Sequence, residues 1–210
     1  MIELKHISKS YNGMPVLQNI SMTFRDNGCY CLMSPSGSGK TTLMRILMGL
    51  EKPDTGTIGI SVADAGRNVD TGDSRDASHG RTSPSISAVF QEDRLCESFS
   101  PLENVTMCAG RSIKASRVRW EMGKLLPEEC LDRPVSTLSG GMKRRVAVYR
   151  ALLTPSDILI MDEPFTGMDE ELKHSVIAYI REKRDGRILI LSTHQEEDVK
   201  LIGGELVRLA

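Results

Sequence analysis

The sequence has almost no net charge and no long apolar run, and each absence excludes a class of protein. Its 27 Lys+Arg and 28 Asp+Glu leave a formal net charge of −1, so no overall positive field indicates a nucleic-acid partner. No apolar run approaches the roughly 20 residues of a membrane-spanning helix, and the N-terminus lacks the pattern of a signal peptide. We therefore expect a cytoplasmic protein that does not bind nucleic acid.

Cysteine use argues against two kinds of site. The five cysteines (Cys29, Cys31, Cys96, Cys108 and Cys130) are odd in number and scattered, which favours reduced thiols over a disulfide framework. Cys29 and Cys31 are two residues apart in a predicted strand and so share one face. A pair of buried thiols explains them more simply than a metal site does.

What the sequence does contain is a glycine-bearing loop between an apolar run and a helical pattern. Residues 34–42 read SPSGSGKTT, after the apolar run 29–33 and before the helical residues 43–48. Backbone N–H groups and a helix N-terminus can then surround a polyphosphate, with Lys40 on the β/γ-phosphates and the Thr41 hydroxyl on Mg²⁺. An ordinary Gly/Ser turn is the alternative. The predicted nucleotide contacts are Ser36, Gly37, Ser38, Gly39, Lys40, Thr41 and Thr42.

One position departs from the usual phosphate-loop pattern, because Ser34 replaces its first glycine. Ser34 precedes Pro35, and a residue before proline is already restricted to extended backbone, where a side chain costs little. Gly37 and Gly39, at which the backbone must approach phosphate most closely, are retained. We expect the loop to tolerate this change.

Two adjacent carboxylates follow a second apolar run. Asp162 and Glu163 come after the predicted strand 157–161, at the end where open α/β sheets bind ligands. We expect Asp162 to hold Mg²⁺ and Glu163 to orient and deprotonate an attacking water. The dipeptide could instead cap the turn before Pro164, but the presence of Lys40 favours the catalytic interpretation.

A second anion-binding pattern lies at residues 138–145, LSGGMKRR. Ser139 is a good helix N-cap, and Gly140 and Gly141 leave the first N–H groups of the following helix accessible. Alone this pattern is weak evidence. It gains weight because the same chain carries a phosphate loop.

Alternating strands and helices predict an α/β fold with a mainly parallel sheet flanked by helices. Residues near the N-terminus alternate between polar and apolar and predict an antiparallel β part. We expect a single domain over residues 1–210. Its nucleotide-binding core, which includes the antiparallel part, would comprise residues 1–91 and 150–210.

Residues 92–149 are predicted to form a helical subdomain inserted into that core. Helical patterns begin at Pro101 and cover residues 114–126 and 139–153. Residues 63–85 are almost free of apolar residues, which predicts a solvated, mobile loop.

These motifs, in this order, resemble the ATP-binding subunits of ABC transporters, and the resemblance covers the whole chain. It implies a P-loop NTPase core that binds ATP and Mg²⁺ and hydrolyses ATP. The family's signature sequence is matched by residues 138–141, with Met142 where glutamine is commoner. Binding through backbone N–H groups and Ser139 should tolerate that methionine.

The resemblance implies roles for four further residues. Tyr11 would stack on adenine, and Gln91 would contact Mg²⁺ and the attacking water. Asp169 would support contacts between subunits at the nucleotide site, and His194 would contact the γ-phosphate. Each also has a plain structural alternative, which is respectively a turn residue, a polar strand end, a helix N-cap and a strand-end histidine.

The resemblance also implies partners. Two copies would face head to tail, so that the Ser139 region of one completes the Lys40 site of the other. Because the sequence has no membrane span, the permease would be separate subunits. The protein would then attach peripherally to the inner face of the cell membrane.

Within the family, residues 91–95 (QEDRL) and 101–105 (PLENV) are similar to bacterial importer ATPases for nitrate, sulfonate, taurine and related small solutes. The sequence also ends soon after His194, where sugar-importer ATPases carry a regulatory domain. We therefore expect an importer, with an extracytoplasmic solute-binding protein as a further partner. The alternatives are an ATPase of an exporter, lipoprotein-release or efflux system, a non-transport ABC protein, and a non-catalytic scaffold, which Ser34 makes conceivable.

Overall fold

The computed structural model of the chain describes residues 1–61, 84–110 and 113–209. The predicted loop over residues 63–85 lies outside them except for residues 84 and 85. In chain order the strands are β1 (Ile2–Tyr11), β2 (Met14–Phe24), β3 (Cys29–Leu32), β4 (Thr55–Ile60), β5 (Ile86–Val89), β6 (Ile158–Met161), β7 (Ile188–Ser192) and β8 (Glu205–Val207). The α-helices are α1 (Lys40–Leu47), α2 (Pro101–Thr106), α3 (Ala115–Met122), α4 (Gly140–Leu153), α5 (Glu170–Lys183) and α6 (Glu196–Ile202).

A parallel sheet of five strands, in the order β5-β6-β7-β3-β8, organises the chain. Strands β6 and β7 are buried along their whole length, as expected of parallel strands covered on both faces. Their carboxyl ends, with that of β3, meet at one edge of the sheet. The predicted mainly parallel sheet flanked by helices is confirmed.

A three-stranded antiparallel sheet, in the order β2-β1-β4, contains the N-terminus. Asn12 and Gly13 join β1 to β2 with φ angles of 49° and 78°. Positive φ at both positions suits a tight hairpin turn, whose twist matches that of the strands. The predicted antiparallel β part is therefore confirmed.

Successive side chains of the parallel strands pack into two different apolar clusters, one on each face of the sheet. In β6, Leu159 and Met161 pack with residues of α3, α4 and α5, whereas Ile158 and Ile160 pack with α1 and the antiparallel sheet. This alternation follows from the two-residue period of a strand. Both faces of the sheet are thereby covered.

The helical segment between β5 and β6 contains α2, α3 and α4. The helix predicted over residues 114–126 is shorter, because α3 ends at Met122. Gly123 is a weak helix former, and the residue before Pro127 is disfavoured in a helix. The division into a core and a helical subdomain stays a prediction. Within the described ranges we find no helix with the length and apolar character to span a bilayer.

Candidate functional site

The predicted phosphate loop joins β3 to α1. Gly37 and Gly39 have φ angles of 82° and 87°, a conformation that favours glycine. A Cβ atom on Gly39 would lie only 2.9 Å from the Val16 carbonyl oxygen and 2.7 Å from Leu17 Cδ2. Glycine is thus required here by close backbone approach as well as by conformation, and α1 begins at the next residue, Lys40.

Lys40 is buried and turns back onto its own loop. Its Nζ donates to the carbonyl oxygens of Ser34, at 2.5 Å, and Pro35, at 3.1 Å. Among the described residues it forms no ion pair with a carboxylate. Its positive charge therefore has only neutral partners and is available to an anionic oxygen.

Ser34, the unusual residue of the loop, is tied to residues near the end of the chain. Its Oγ accepts a hydrogen bond from Leu209 N at 2.8 Å and donates one to the Leu209 carbonyl oxygen at 3.3 Å. Strand β8, which the sequence did not predict, pairs with β3 and brings Leu209 there. Ser34 is absent from the residues with positive φ, so its backbone does not require glycine.

The loop meets the predicted carboxylate pair across the edge of the sheet. Thr41 Oγ1 donates to Asp162 Oδ2 at 2.9 Å. The buried Ser192 donates from its Oγ to Asp162 Oδ1 at 2.6 Å and accepts from Glu163 N at 2.8 Å. Ser192, which the sequence analysis missed, therefore fixes both acidic residues. Its only sequence signal is a serine that ends an apolar strand immediately before Thr193.

Glu163 and His194 lie side by side. His194 Nε2 is 2.8 Å from Glu163 Oε1, and their side chains are 47% and 29% exposed. Glu163 has a φ angle of 48°, which is uncommon for a residue other than glycine and often marks a functional position. The pair thus presents a carboxylate and an imidazole to solvent at the same edge as Lys40.

A cleft of 350 Å³ collects most of the predicted nucleotide contacts. Among the predicted residues that line it are Tyr11, Ser36, Gly37, Gly39, Lys40, Thr41, Thr42, Gln91, Glu163 and His194. Asp162 lies behind Thr41, and Ser38 Oγ is buried without a hydrogen-bond partner. An unpartnered hydroxyl inside this loop fits an anionic ligand that the structure does not contain.

The side chains also fit a magnesium ion. Thr41 Oγ1 and Asp162 Oδ2 are adjacent oxygens, and Gln91 lines the same cleft. The described residues contain no group of three or more His, Cys, Asp or Glu that could enclose a metal. Few protein ligands suit Mg²⁺, which usually retains waters and binds substrate phosphates.

Gln91 is positioned by an arginine of α4. The buried Arg144 donates to the carbonyl oxygens of Phe90 and, at 2.9 Å, Gln91, and it forms an ion pair with Asp93 at 3.0 Å. Burial raises the pKa of the Asp93 carboxyl above its usual range, against the opposing effect of Arg144 and other nearby cations. Within the run of three basic residues 143–145, Arg144 is thus buried and ion-paired.

The remaining predicted residues lie apart from the cleft. Ser139 caps α4, its Oγ accepting from Met142 N at 3.3 Å, and Asp169 caps α5, its carboxylate accepting from Leu172 N at 2.9 Å. A Cβ atom on Gly141 would lie 2.5 Å from the Gly167 carbonyl oxygen, whereas one on Gly140 would contact nothing within 4 Å. Within one chain, Ser139, Gly140, Gly141 and Asp169 are not part of the cleft that contains Lys40.

Relatives with curated names align over nearly the whole chain. The chain is 32% identical to the "Nod factor export ATP-binding protein I" of Ralstonia nicotianae over 98% of its length, and 34% identical to that of Paraburkholderia xenovorans over 95%. The chain spans 63% and 64% of the length of these relatives.

Solved structures confirm the fold. The "Dimeric Structure of MJ0796, a Bacterial ABC Transporter Cassette" superposes with a TM-score of 0.79 at 26% identity, covering 100% of this chain and 94% of the other. A "post-hydrolysis state" of the same cassette "bound to ADP and Pi" gives 0.78 at 25%, with the same coverage. The sequence profile described as "ABC transporter" matches residues 17–166. These matches show that the chain belongs to the ABC transporter family and has the fold of its solved cassettes.

Proposed function

We propose that the chain binds Mg-ATP in the 350 Å³ cleft and hydrolyses it, as the ATP-binding subunit of an ABC transporter. The observation that carries this proposal is the convergence of Lys40, Glu163 and His194 on one cleft. Phosphoryl transfer depends on positioning and on charge stabilisation from several directions. These three side chains approach from the phosphate loop and from the ends of two neighbouring strands, β6 and β7.

Each side chain then has a defined task. Lys40 exchanges its carbonyl partners on Ser34 and Pro35 for the β/γ-phosphate oxygens. Thr41 and Asp162 hold Mg²⁺, which when bound neutralises charge on the phosphates. Tyr11, 42% exposed beside the cleft, stacks on adenine.

Glu163 orients the attacking water and accepts its proton. Its backbone is fixed because its N–H donates to Ser192 Oγ, and its carboxylate is positioned because Oε1 lies against His194. His194 contacts the γ-phosphate from this position, and Gln91 contacts Mg²⁺ and the water. A general base needs this combination of fixed geometry and access to solvent.

The active form is a head-to-tail dimer of cassettes. Ser139, Gly140, Gly141 and Asp169 lie away from the cleft of their own chain, although their motif is suited to binding phosphate. A second copy can supply them to the open side of the site. The dimeric structures that superpose on this chain support this arrangement.

ATP-driven closing and opening of that dimer energises transport through separate permease subunits, which hold the cassette at the inner face of the membrane. The curated relatives are named export proteins, and this favours the exporter alternative over the predicted small-solute importer. A solute-binding protein belongs only to the importer interpretation. Reconstitution with its permease in vesicles, and measurement of which side gains solute, tests the direction.

Substitution of Glu163 tests the hydrolytic role. Glu163→Gln removes the base but leaves Lys40 and the phosphate loop unchanged, so we expect ATP turnover to fall about 10²- to 10⁴-fold. ATP binding should persist, and the ATP-bound dimer should accumulate in size-exclusion chromatography. Glu171→Gln, an exposed carboxylate in the first turn of α5, is the matched control and should behave as the parent. Parental turnover in Glu163→Gln would exclude this residue as the base.

A further inference from the structure

His194 projects from a short segment between β7 and α6, and its ring is half exposed. The only hydrogen bond described for its side chain is the one to Glu163. A ring that is half exposed and has a single described hydrogen bond is only partly fixed by its surroundings. Its position therefore depends on the residues that flank it, Thr193 and Gln195.

Both flanking residues are fixed by buried charged groups. Asp198, in the first turn of α6, accepts from Thr193 Oγ1 at 2.5 Å, and Gln195 N donates to the same Oγ1 at 3.2 Å. Gln195 Oε1 accepts from Lys173 Nζ at 2.5 Å. The segment is therefore tied to Asp198 on one side of His194 and to Lys173 on the other.

Lys173 and Asp198 also bind each other. Lys173 Nζ lies 3.2 Å from Asp198 Oδ1, and the two side chains are only 4% and 3% exposed. Lys173 Nζ also lies 2.9 Å from Glu170 Oε2, a second carboxylate oxygen. Burial lowers the pKa of Lys173, but the hydrogen bonds that it donates to Glu170 and Asp198 outweigh this effect and hold that pKa above its usual value. Lys173 thus stays charged at neutral pH.

The ion pair lies close to Glu163 and His194. A pocket of 170 Å³ is lined by Lys173 and Asp198 together with Glu163 and His194. Lys173 and Asp198 do not line the neighbouring cleft that contains the phosphate loop, although Glu163 and His194 line both. We therefore expect the ion pair to affect hydrolysis through the residues that it holds.

We propose that Lys173, through its buried ion pair with Asp198 and its bond to Gln195, is a positioning residue that holds His194 against Glu163. The inference rests on the proposed role of His194 in hydrolysis. A small displacement of a catalytic group lowers turnover without removing the phosphate contacts that bind ATP. Lys173 consequently affects the rate of hydrolysis more than the affinity for nucleotide.

Steady-state kinetics of Lys173→Met provides the first test. We expect kcat to fall about 10- to 100-fold, with the KM for ATP changed by less than about threefold. Lys173→Arg, which keeps the charge, should recover most of the loss. Lys200→Met, an exposed position on α6, is the matched control and should behave as the parent. A loss confined to KM, or no loss, would overturn the proposal.

Combination with His194→Ala tests whether Lys173 acts through the histidine. If it does, Lys173→Met causes no further loss of kcat in the His194→Ala background. The same fold loss in both backgrounds would mean that Lys173 acts independently of His194. If Lys173→Met leaves Asp198 unpaired and fails to fold, Lys173→Met/Asp198→Asn removes both charges and allows the same comparison.

A spectroscopic measurement separates this inference from the proposed function. In protein with isotope-labelled histidine, the His194 ring resonances, assigned with His194→Ala, should shift in Lys173→Met and remain in place in Lys200→Met. Unchanged resonances would overturn the positioning role whatever the turnover. If His194→Ala instead hydrolyses ATP as the parent does, the proposed role of His194 fails, and the resonances alone decide whether Lys173 sets the ring position.

Discussion

Lys40 carries its charge against backbone carbonyls of its own loop. A buried ammonium with neutral partners is held in place while its charge remains uncompensated, so binding of a phosphate requires only an exchange of partners. The same loop leaves Ser38 Oγ without a partner. At the scale of single residues, the cleft is prepared for anionic oxygens.

Lys40→Ala should weaken binding of Mg-ATP about tenfold to a hundredfold, since a hydrogen bond to a charged group contributes about 1.5–3 kcal/mol. Isothermal titration calorimetry measures the change. Lys52→Ala, an exposed position outside the cleft, is the matched control. Equal affinity of Lys40→Ala and the parent would show that the lysine does not contact the phosphates.

At the scale of elements, the N-terminus of α4 is packed against the loop that follows Glu163. The backbone of Gly141 approaches the Gly167 carbonyl so closely that no side chain fits between them, while the neighbouring Gly140 faces open space. The signature motif of one chain is thereby held at a fixed distance from the residues that lead to Asp169. Both are predicted to contact the partner cassette.

Gly141→Ala should therefore destabilise the protein by about 1–3 kcal/mol, because backbone must move to admit the methyl group. Gly140→Ala is the matched control: it adds the same methyl group to the same turn of α4 and should be neutral, or stabilising by up to about 1 kcal/mol. Urea unfolding compares the two. Equal stabilities would contradict the close packing of α4 on Gly167.

The buried residue Glu121 joins three helices, through its carboxylate and its backbone carbonyl oxygen. Glu121 of α3, only 3% exposed at its side chain, pairs with Lys183 of α5 at 2.8 Å and with Lys124 at 3.1 Å. Tyr149 of α4 donates to the Glu121 carbonyl oxygen at 2.8 Å. Burial raises the pKa of Glu121, but the bonds and charges of Lys183 and Lys124 outweigh it, so its pKa lies below the usual range.

Glu121→Gln should cost about 1.5–3 kcal/mol of unfolding free energy at pH 7. A carboxyl group whose pKa is lowered by folding stabilises the folded state when the pH is above its unfolded-state pKa of about 4.3. This stabilisation is lost as the pH falls through the lower pKa of the folded state. The parent should therefore lose more stability than Glu121→Gln on acidification below about pH 4.3. Urea unfolding at several pH values tests this, with Glu129→Gln, an exposed position, as control. If the unfolding free energies of the parent and Glu121→Gln changed with pH in parallel, the ion pairing of Glu121 would be contradicted.

The sequence alone was sufficient to identify those candidate residues that are recognised by their neighbours along the chain. Lys40 and Thr41 are identified by their loop, and the apolar run before Asp162 predicted β6 and thus the place of both carboxylates. Contacts between distant residues could not be predicted. Nothing adjacent to Ser192 or Lys173 indicates which acidic groups these residues meet after folding.

The short strand β8 was not predicted, for a different reason. Its three residues are too few to show a period, and two of them are exposed, so no apolar pattern marks them. It forms because β3 offers an unpaired edge, which is a property of the folded sheet. The explanation of Ser34, which bonds to Leu209 beyond β8, was inaccessible for the same reason.

At the scale of the whole molecule, one chain holds two incomplete halves of a nucleotide site. Lys40 and Glu163 line a cleft from which Ser139 and Asp169 are absent. We expect ATP to be hydrolysed only where the cleft of one copy meets the α4 N-terminus of another. A solved cassette of the same fold is dimeric.

Mixing two inactive variants tests that claim most directly. Lys40→Ala and Ser139→Arg should each hydrolyse ATP poorly alone. A dimer of one with the other contains one intact site, formed by the Lys40 of the second chain and the Ser139 of the first. Turnover should therefore reappear on mixing, and should not reappear when Lys40→Ala is mixed with Lys40→Ala/Ser139→Arg. If mixing restores nothing while Ser139→Arg alone retains the parental rate, each chain is a complete enzyme and the shared site is contradicted.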